Sequence, residues 1–127
     1  MQISSCTFKD YRVMPSVLRG IRNVRYVANM ISSAALADPL ITYVNSSGGT
    51  TQVEEMSLDA TVQLKEGAKA VLRGSCSGIY NSSLGQSSAE VDLKIYVNDT
   101  LKTENHDLKT DPTAYVNSST ECSYTIK

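Results

Sequence analysis

Two short stretches of this sequence carry residue types that could do chemistry. Gly74-Ser75-Cys76-Ser77-Gly78 has the Gly-x-nucleophile-x-Gly spacing of a nucleophile elbow, with a thiol where the attacking group would stand. Such an elbow needs a strand-turn-helix frame and a base to take the thiol proton, and His106 is the only imidazole in the chain. The residues around Cys76 continue as a strand, so we read the stretch as small strand residues with Cys76 facing the core beside Leu72. Glu104, His106, Asp107 and Asp111 form the second cluster, a set that could hold a metal or move a proton. They fall where a polar loop is expected, and charged loops are usually only solvated. No glycine-rich phosphate loop and no spaced pair of catalytic carboxylates stands out. The chain therefore reads as a non-enzymatic protein, with no catalytic, cofactor-binding or metal-ligating residue assigned and no cofactor implied.

Three cysteines, Cys6, Cys76 and Cys122, make no disulfide framework, because an odd count leaves one thiol over in a monomer. Cys76 shares its strand parity with Leu72, and Cys122 with Tyr124 and Ile126. The two are expected in the core, either as a disulfide or as two buried thiols acting as small apolar groups. Four Asn-x-Ser/Thr sequons stand at Asn45, Asn81, Asn98 and Asn117. Asn, Ser and Thr are also the residues that β-turns use, and the turn reading is taken. Net charge is −1, but it is unevenly spread. Residues 1–52 hold five basic residues against two acidic, and residues 53–127 hold seven against eleven. A basic arm on an acidic body suits a subunit that binds its neighbour head to tail. The balance argues against direct nucleic-acid recognition, and no apolar run is long enough to cross a membrane. Ala35-Leu36-Ala37 looks like a small-x-small cleavage site, but Asn29, Ser32 and Ser33 interrupt the apolar stretch before it, so it is read as structure.

The elements that would position these residues follow from two periodicities. Val17, Ile21, Val24, Ala28, Ile31 and Ala35 recur at steps of three and four, which predicts a helix over residues 16–36, closed by Asp38-Pro39. Its apolar stripe, with Arg19, Arg22 and Arg25 beside it, is a face that could pack on the domain's own sheet or on a neighbour. After Pro39 the period becomes two. Met56, Leu58, Ala60, Val62 and Leu64 alternate with Ser57, Asp59, Thr61 and Gln63, and Ala89, Val91, Leu93, Ile95 and Val97 alternate with Glu90, Asp92, Lys94 and Tyr96. Further strands are expected over residues 40–44, 68–80, 100–105, 115–116 and 122–126. Asn98-Asp99 has the chemistry of a two-residue hairpin turn. The phrase Tyr-Val-Asn, at residues 43–45, 96–98 and 115–117, is a strand end followed by an Asn turn. The expected architecture is mainly β: an antiparallel sandwich or jelly roll over residues 39–127, preceded by an arm and one helix over residues 1–38 that is dispensable for folding of the β domain.

From Leu58 to Ile126 the order of features resembles the small jelly-roll or sandwich domains of tailed-phage virion proteins, such as decoration, head-fibre and tail components. The residues behind the likeness are Ala68-Lys69-Ala70-Val71-Leu72-Arg73-Gly74-Ser75-Cys76-Ser77-Gly78 and Ala89-Glu90-Val91-Asp92-Leu93-Lys94-Ile95-Tyr96-Val97-Asn98. The resemblance implies a structural role in a capsid or tail, with copies of the chain and other virion proteins as partners and no catalytic residues to transfer. The N-terminal segment is the expected docking element. Its candidate interface residues are Arg12, Arg19, Arg22 and Arg25 with Val17, Ile21, Val24 and Ile31. The alternative expectation is a secreted or surface-displayed, extracellular sandwich that binds protein or carbohydrate.

Overall fold

In the computed structural model, which describes residues 20–34 and 37–127, eight strands form two four-stranded antiparallel sheets. They are β1 (Ile21–Ser32), β2 (Leu40–Val44), β3 (Thr50–Val53), β4 (Ser57–Lys65), β5 (Lys69–Gly78), β6 (Ser87–Val97), β7 (Thr100–Asp111) and β8 (Val116–Thr125). Sheet I has the order β4-β1-β6-β7 and sheet II the order β3-β2-β5-β8. The chain changes sheet after β1, β3, β4, β5 and β7. The first four strands thus make a Greek key folded across the sandwich, with β4 returning beside β1.

The helix expected over residues 16–36 is corrected by this structure: residues 21–32 are strand β1. Residues 16–19 and 35–36 of that expectation, and the arm before them, lie outside the described residues. The sequence of β1 satisfies two periods at once. Ile21, Val24, Ala28 and Ile31 fall on a helical stripe, but Val24, Tyr26, Ala28 and Met30 also alternate, and it is these four that are buried. β-Branched residues and Tyr favour the extended form, and pairing partners decide the matter. β1 matches nine residues of β4 on one side and nine of β6 on the other. It is a central strand of the sandwich and not part of an appendage before residue 39.

The clear alternations behave as read. β4 turns Leu58, Ala60, Val62 and Leu64 inward, and β6 buries Ala89, Val91, Leu93, Ile95 and Val97. Asn98 and Asp99 both take positive φ, the geometry of the tight β6–β7 hairpin. Two expectations were too short. The strands at residues 115–116 and 122–126 are one strand, β8, and the 100–105 strand runs on to Asp111, with a bulge at Ile95/Tyr96. β3 was not foreseen.

The core depends on an absence of side chains in sheet II. A Cβ on Gly74 would stand 2.9 Å from Val91 Cγ1, 3.0 Å from Met30 Cε and 3.1 Å from Leu93 Cδ2. One on Gly78 would stand 2.1 Å from the Ser88 carbonyl oxygen. Across the core, Tyr26 donates from its hydroxyl to Val44 O at 2.9 Å and packs on Tyr43, with ring centroids 5.1 Å apart.

Three outcomes follow from this packing. Gly74→Val should destabilise the domain by about 1–3 kcal/mol through overpacking, measured by urea unfolding. Leu93→Asp should abolish folding, because an unpaired buried charge costs several kcal/mol, comparable with a whole domain's stability. Removing residues 1–38 takes away β1 and should leave a chain without a cooperative melting transition.

Candidate functional site

The structure disposes the two chemically suggestive stretches as structural parts. Gly74-Ser75-Cys76-Ser77-Gly78 runs within β5 and makes no elbow. Cys76 is buried, its thiol 3.8 Å from Glu90 O, and burial pushes its pKa up, the reverse of what a nucleophile needs. Cys122 is also a buried free thiol, pushed up to about 11 by burial and then by the Glu121 charge. Cys122 stands opposite Leu72 in the β5–β8 ladder, four residues from Cys76, or roughly 13 Å along the strand. A disulfide needs Cα atoms within about 7 Å, so of the two expectations the buried thiols hold and the bridge does not. Cys6 lies outside the described residues.

The Glu104, His106, Asp107 and Asp111 cluster falls on β7, not in a loop, and the strand pleat splits it between two faces. His106 points outward, opposite Asp92, with its Nε2 at 2.5 Å from Glu90 Oε2. The hydrogen bond to Glu90 holds the imidazole pKa above its usual 6.5, with the Glu90, Asp92 and Asp107 charges adding to the effect. Asp107 points inward, where its carboxylate accepts from Lys109 Nζ at 2.7 and 2.8 Å, Ser118 Oγ at 2.7 Å and Ser119 N at 3.2 Å. Asp111 Oδ1 accepts from Thr113 N and Ala114 N and caps the turn after β7.

These inward groups form a seam. β7 and β8 are edge strands of different sheets, and they are tied by side chains in place of a ladder. Ser118 Oγ also donates to Asp107 O at 2.9 Å, and Asn105 Nδ2 donates to Glu121 O at 3.0 Å. Ser87 Oγ donates to the carbonyls of Asp111 and Ala114. The chemistry done here is closure of the sandwich. Among the described residues no group of three or more His, Cys, Asp or Glu is placed to hold a metal ion.

The expected interface residues scatter. Val24 is fully buried in the chain's own core. Arg25 lies on the outer face of sheet I, paired with Asp59 at 2.8 and 2.6 Å and with its guanidinium 5.6 Å from the Tyr96 ring centre. Arg22 sits 3.9 Å from Glu66. Ile21 is half-buried, and Ile31 is exposed on the same outer face, in one row with Glu90 and Leu108. Arg12, Arg19 and Val17 lie outside the described residues.

What sequence reasoning missed is a surface made by loops. The connections described at residues 33–34 with 37–39, at 54–56, at 79–86 and at 112–115 all lie at one end of the sandwich, because the strands that they join start or finish there. Ile79, Tyr80, Leu84 and Tyr115 stand in two of them, between 50% and 60% exposed. Gly78 pairs with Val116, which places Ile79 and Tyr115 side by side just beyond the ladder. Ser33 Oγ donates to Ile79 O at 2.6 Å and joins the first of these loops to the third. The opposite end has tight turns at residues 45–49, 66–68 and 98–99, in which the sequons at Asn45 and Asn98 serve as turn formers. Asn81 does the same within the 79–86 loop, accepting from Ser83 N at 2.9 Å, while Asn117 lies on β8 and accepts from the Tyr115 hydroxyl. The signal for the loop surface was present in the sequence as four large apolar residues in turn-rich stretches, but without the topology nothing placed the stretches together.

No protein-family model matches the chain, and no curated protein matches it. The class that the structure defines is a mainly β, antiparallel, sandwich-like domain.

Replacing Asp107 by Ala should cost about 1–3 kcal/mol of stability, since it leaves the buried Ser118 hydroxyl and its neighbours with fewer partners. The Asp107 carboxyl is held below the usual carboxylate range, first by Lys109 and then by Ser118. Its contribution is therefore present at neutral pH and is lost as the pH falls through the acid range, and the Ala variant should show a flatter acid limb in a melting-versus-pH series. His106 carries the opposite sign: its pairing helps below its ordinary 6.5 and fades as the pH rises past its higher folded value. Glu90→Gln should return the imidazole titration seen by NMR toward the ordinary range.

Proposed function

We propose that the chain is a non-enzymatic assembly subunit, a structural component of a multi-copy particle, whose sandwich meets its neighbours through the loop end. The observation that carries this reading is the exposed group Ile79, Tyr80, Leu84 and Tyr115 on adjacent loops. Monomeric soluble domains rarely gather large apolar side chains in one exposed place unless something covers them. Aromatic residues in particular supply contact area at interfaces with little loss of side-chain freedom. Many weak copies of one contact give strength by multiplicity, which suits a domain of this size. A virion is the setting that we propose for such a particle. That part of the reading rests on the order and residue pattern of the strands from Leu58 to Ile126.

One observation favours a second reading. Tyr80 and Tyr115 are exposed rings at the same end, and exposed tyrosines also suit stacking on a sugar or peptide in a secreted or surface-displayed binding domain.

Light scattering of the purified chain separates the two. An assembly subunit should show a mass of several copies, and Ile79→Asp combined with Leu84→Asp should lower that mass by disrupting the contact while leaving the melting temperature within a degree or two. A strict monomer that binds immobilised glycans, and loses them when Tyr80 and Tyr115 become Ala, would replace the first reading with the second.

A further inference from the structure

The loop end carries one sign of charge. Asp38, Glu54 and Glu55 are exposed there, and the four connections at residues 33–39, 54–56, 79–86 and 112–115 contain no Lys, Arg or His. Asp38, Glu54 and Glu55 also line a depression beside Ala37, Pro39 and Met56. The acidic residues stand toward the β3–β4 edge of this end and Tyr115 toward the β7–β8 edge, so a partner that covers both complements them by being basic and apolar.

The chain contains such a sequence. Residues 1–19 hold Phe8, Tyr11, Val13, Met14, Val17 and Leu18, and their charged residues are Lys9, Arg12 and Arg19 against Asp10, a net of +2. Residues 20–127 hold nine basic against twelve acidic, a net of −3. The segment joins the sandwich at Gly20, whose carbonyl accepts from Glu66 N in the β4–β5 turn, at the end opposite the loops.

Distance then limits which copy's loops the part of the segment nearest the sandwich, residues 11–19, can meet. The twelve residues of β1 span roughly 40 Å at about 3.3 Å each, from the turn end to the loop end. Residues 11–19, fully extended from Gly20, reach about 30 Å. Tyr11, Arg12 and the apolar residues after them therefore fall short of their own loop end, whereas the loop end of a neighbouring copy is open to them.

We infer that residues 11–19 of one copy dock on the acidic, apolar loop end of the next. The inference rests on the assembly reading and names the occupant of its contact. The contact is heterologous: every copy offers one segment and one loop end, so copies join head to tail until a ring closes or a filament grows.

The test uses the 127-residue chain in sedimentation and light scattering at low and high salt. Wild type should associate with concentration and dissociate with salt. Arg12→Glu with Arg19→Glu should weaken association at least tenfold, as should Ile79→Asp with Leu84→Asp, both without a change in melting temperature. Mixing the two double variants should give a dimer and nothing larger, because only one of the two contacts of each copy can then form. Glu54→Arg with Glu55→Arg should restore association to the segment variant. If the loop variant dissociates and the segment variant does not, the occupant is something else, and assembly through the loops still stands. If the segment variant alone dissociates, the segment docks elsewhere and the inference is overturned. A wild-type chain that stays monomeric, or an assembly that neither variant weakens, overturns both the inference and the reading on which it rests.

Discussion

The register of β1 against β4 and β6 governs what this molecule buries. With Val24 opposite Val62 and Val97, the residues Val24, Tyr26, Ala28 and Met30 face sheet II. A slip of one position would put Arg25 and Asn29 into the core and Tyr26 into water, since strand side chains alternate at every step. Apolar burial alone does not select the register, because Ile21, Val27 and Ile31 are also apolar. Selection comes from the two neighbours together. Both β4 and β6 alternate strictly, so β1 can match them only where all three inward sets coincide. The Arg25–Asp59 pair on the outer face then falls into place as a cross-strand contact on adjoining strands.

Sheet II answers that constraint by being small where sheet I is large. Gly74 receives Val91, Leu93 and Met30, and Gly78 admits the Ser88 carbonyl. Cys76 lies between them on the inward face of β5 and fills space as a compact apolar group. The run of small residues in β5 is thus the complement of the branched side chains of β6. Where the edge strands β7 and β8 of the two sheets meet, apolar filling stops and the polar seam around Asp107 and Ser118 takes over. An inward carboxylate and lysine on an edge strand also make that edge a poor template for a further strand.

The legibility of the sequence followed the strength of local alternation. β4, β6 and the β6–β7 turn were readable because one period, or one pair of turn residues, stood without competition. β1 was not, since its apolar residues fit a helix and a strand equally, and the pairing that breaks the tie comes from residues more than 25 positions away. β7 was half readable. Its inward residues are polar because they meet β8 by hydrogen bonds, so period-two alternation of apolar side chains never appears. The seam itself is a tertiary property that no single segment carries. The same holds for the loop surface: Leu84 and Tyr115 are thirty-one residues apart and look like incidental apolar residues in loops until the topology brings β5–β6 and β7–β8 to one end.

That end is harder to account for by folding than the turn end. Asn81 and Gly85, which takes φ of 72°, form the turn of the 79–86 loop, and nothing in that turn requires Tyr80 or Leu84 to be apolar. Left in water, such side chains add little to the stability of the isolated domain and raise its tendency to associate. The turn end makes a useful control: the connections at residues 45–49, 66–68 and 98–99 are built from Asn, Ser, Gly, Ala, Glu and Asp, with no large apolar residue. The same fold thus makes its reversals with polar and small residues at one end and spends large apolar residues at the other. Turn chemistry explains the first choice, and the contact proposed for the loop end would explain the second.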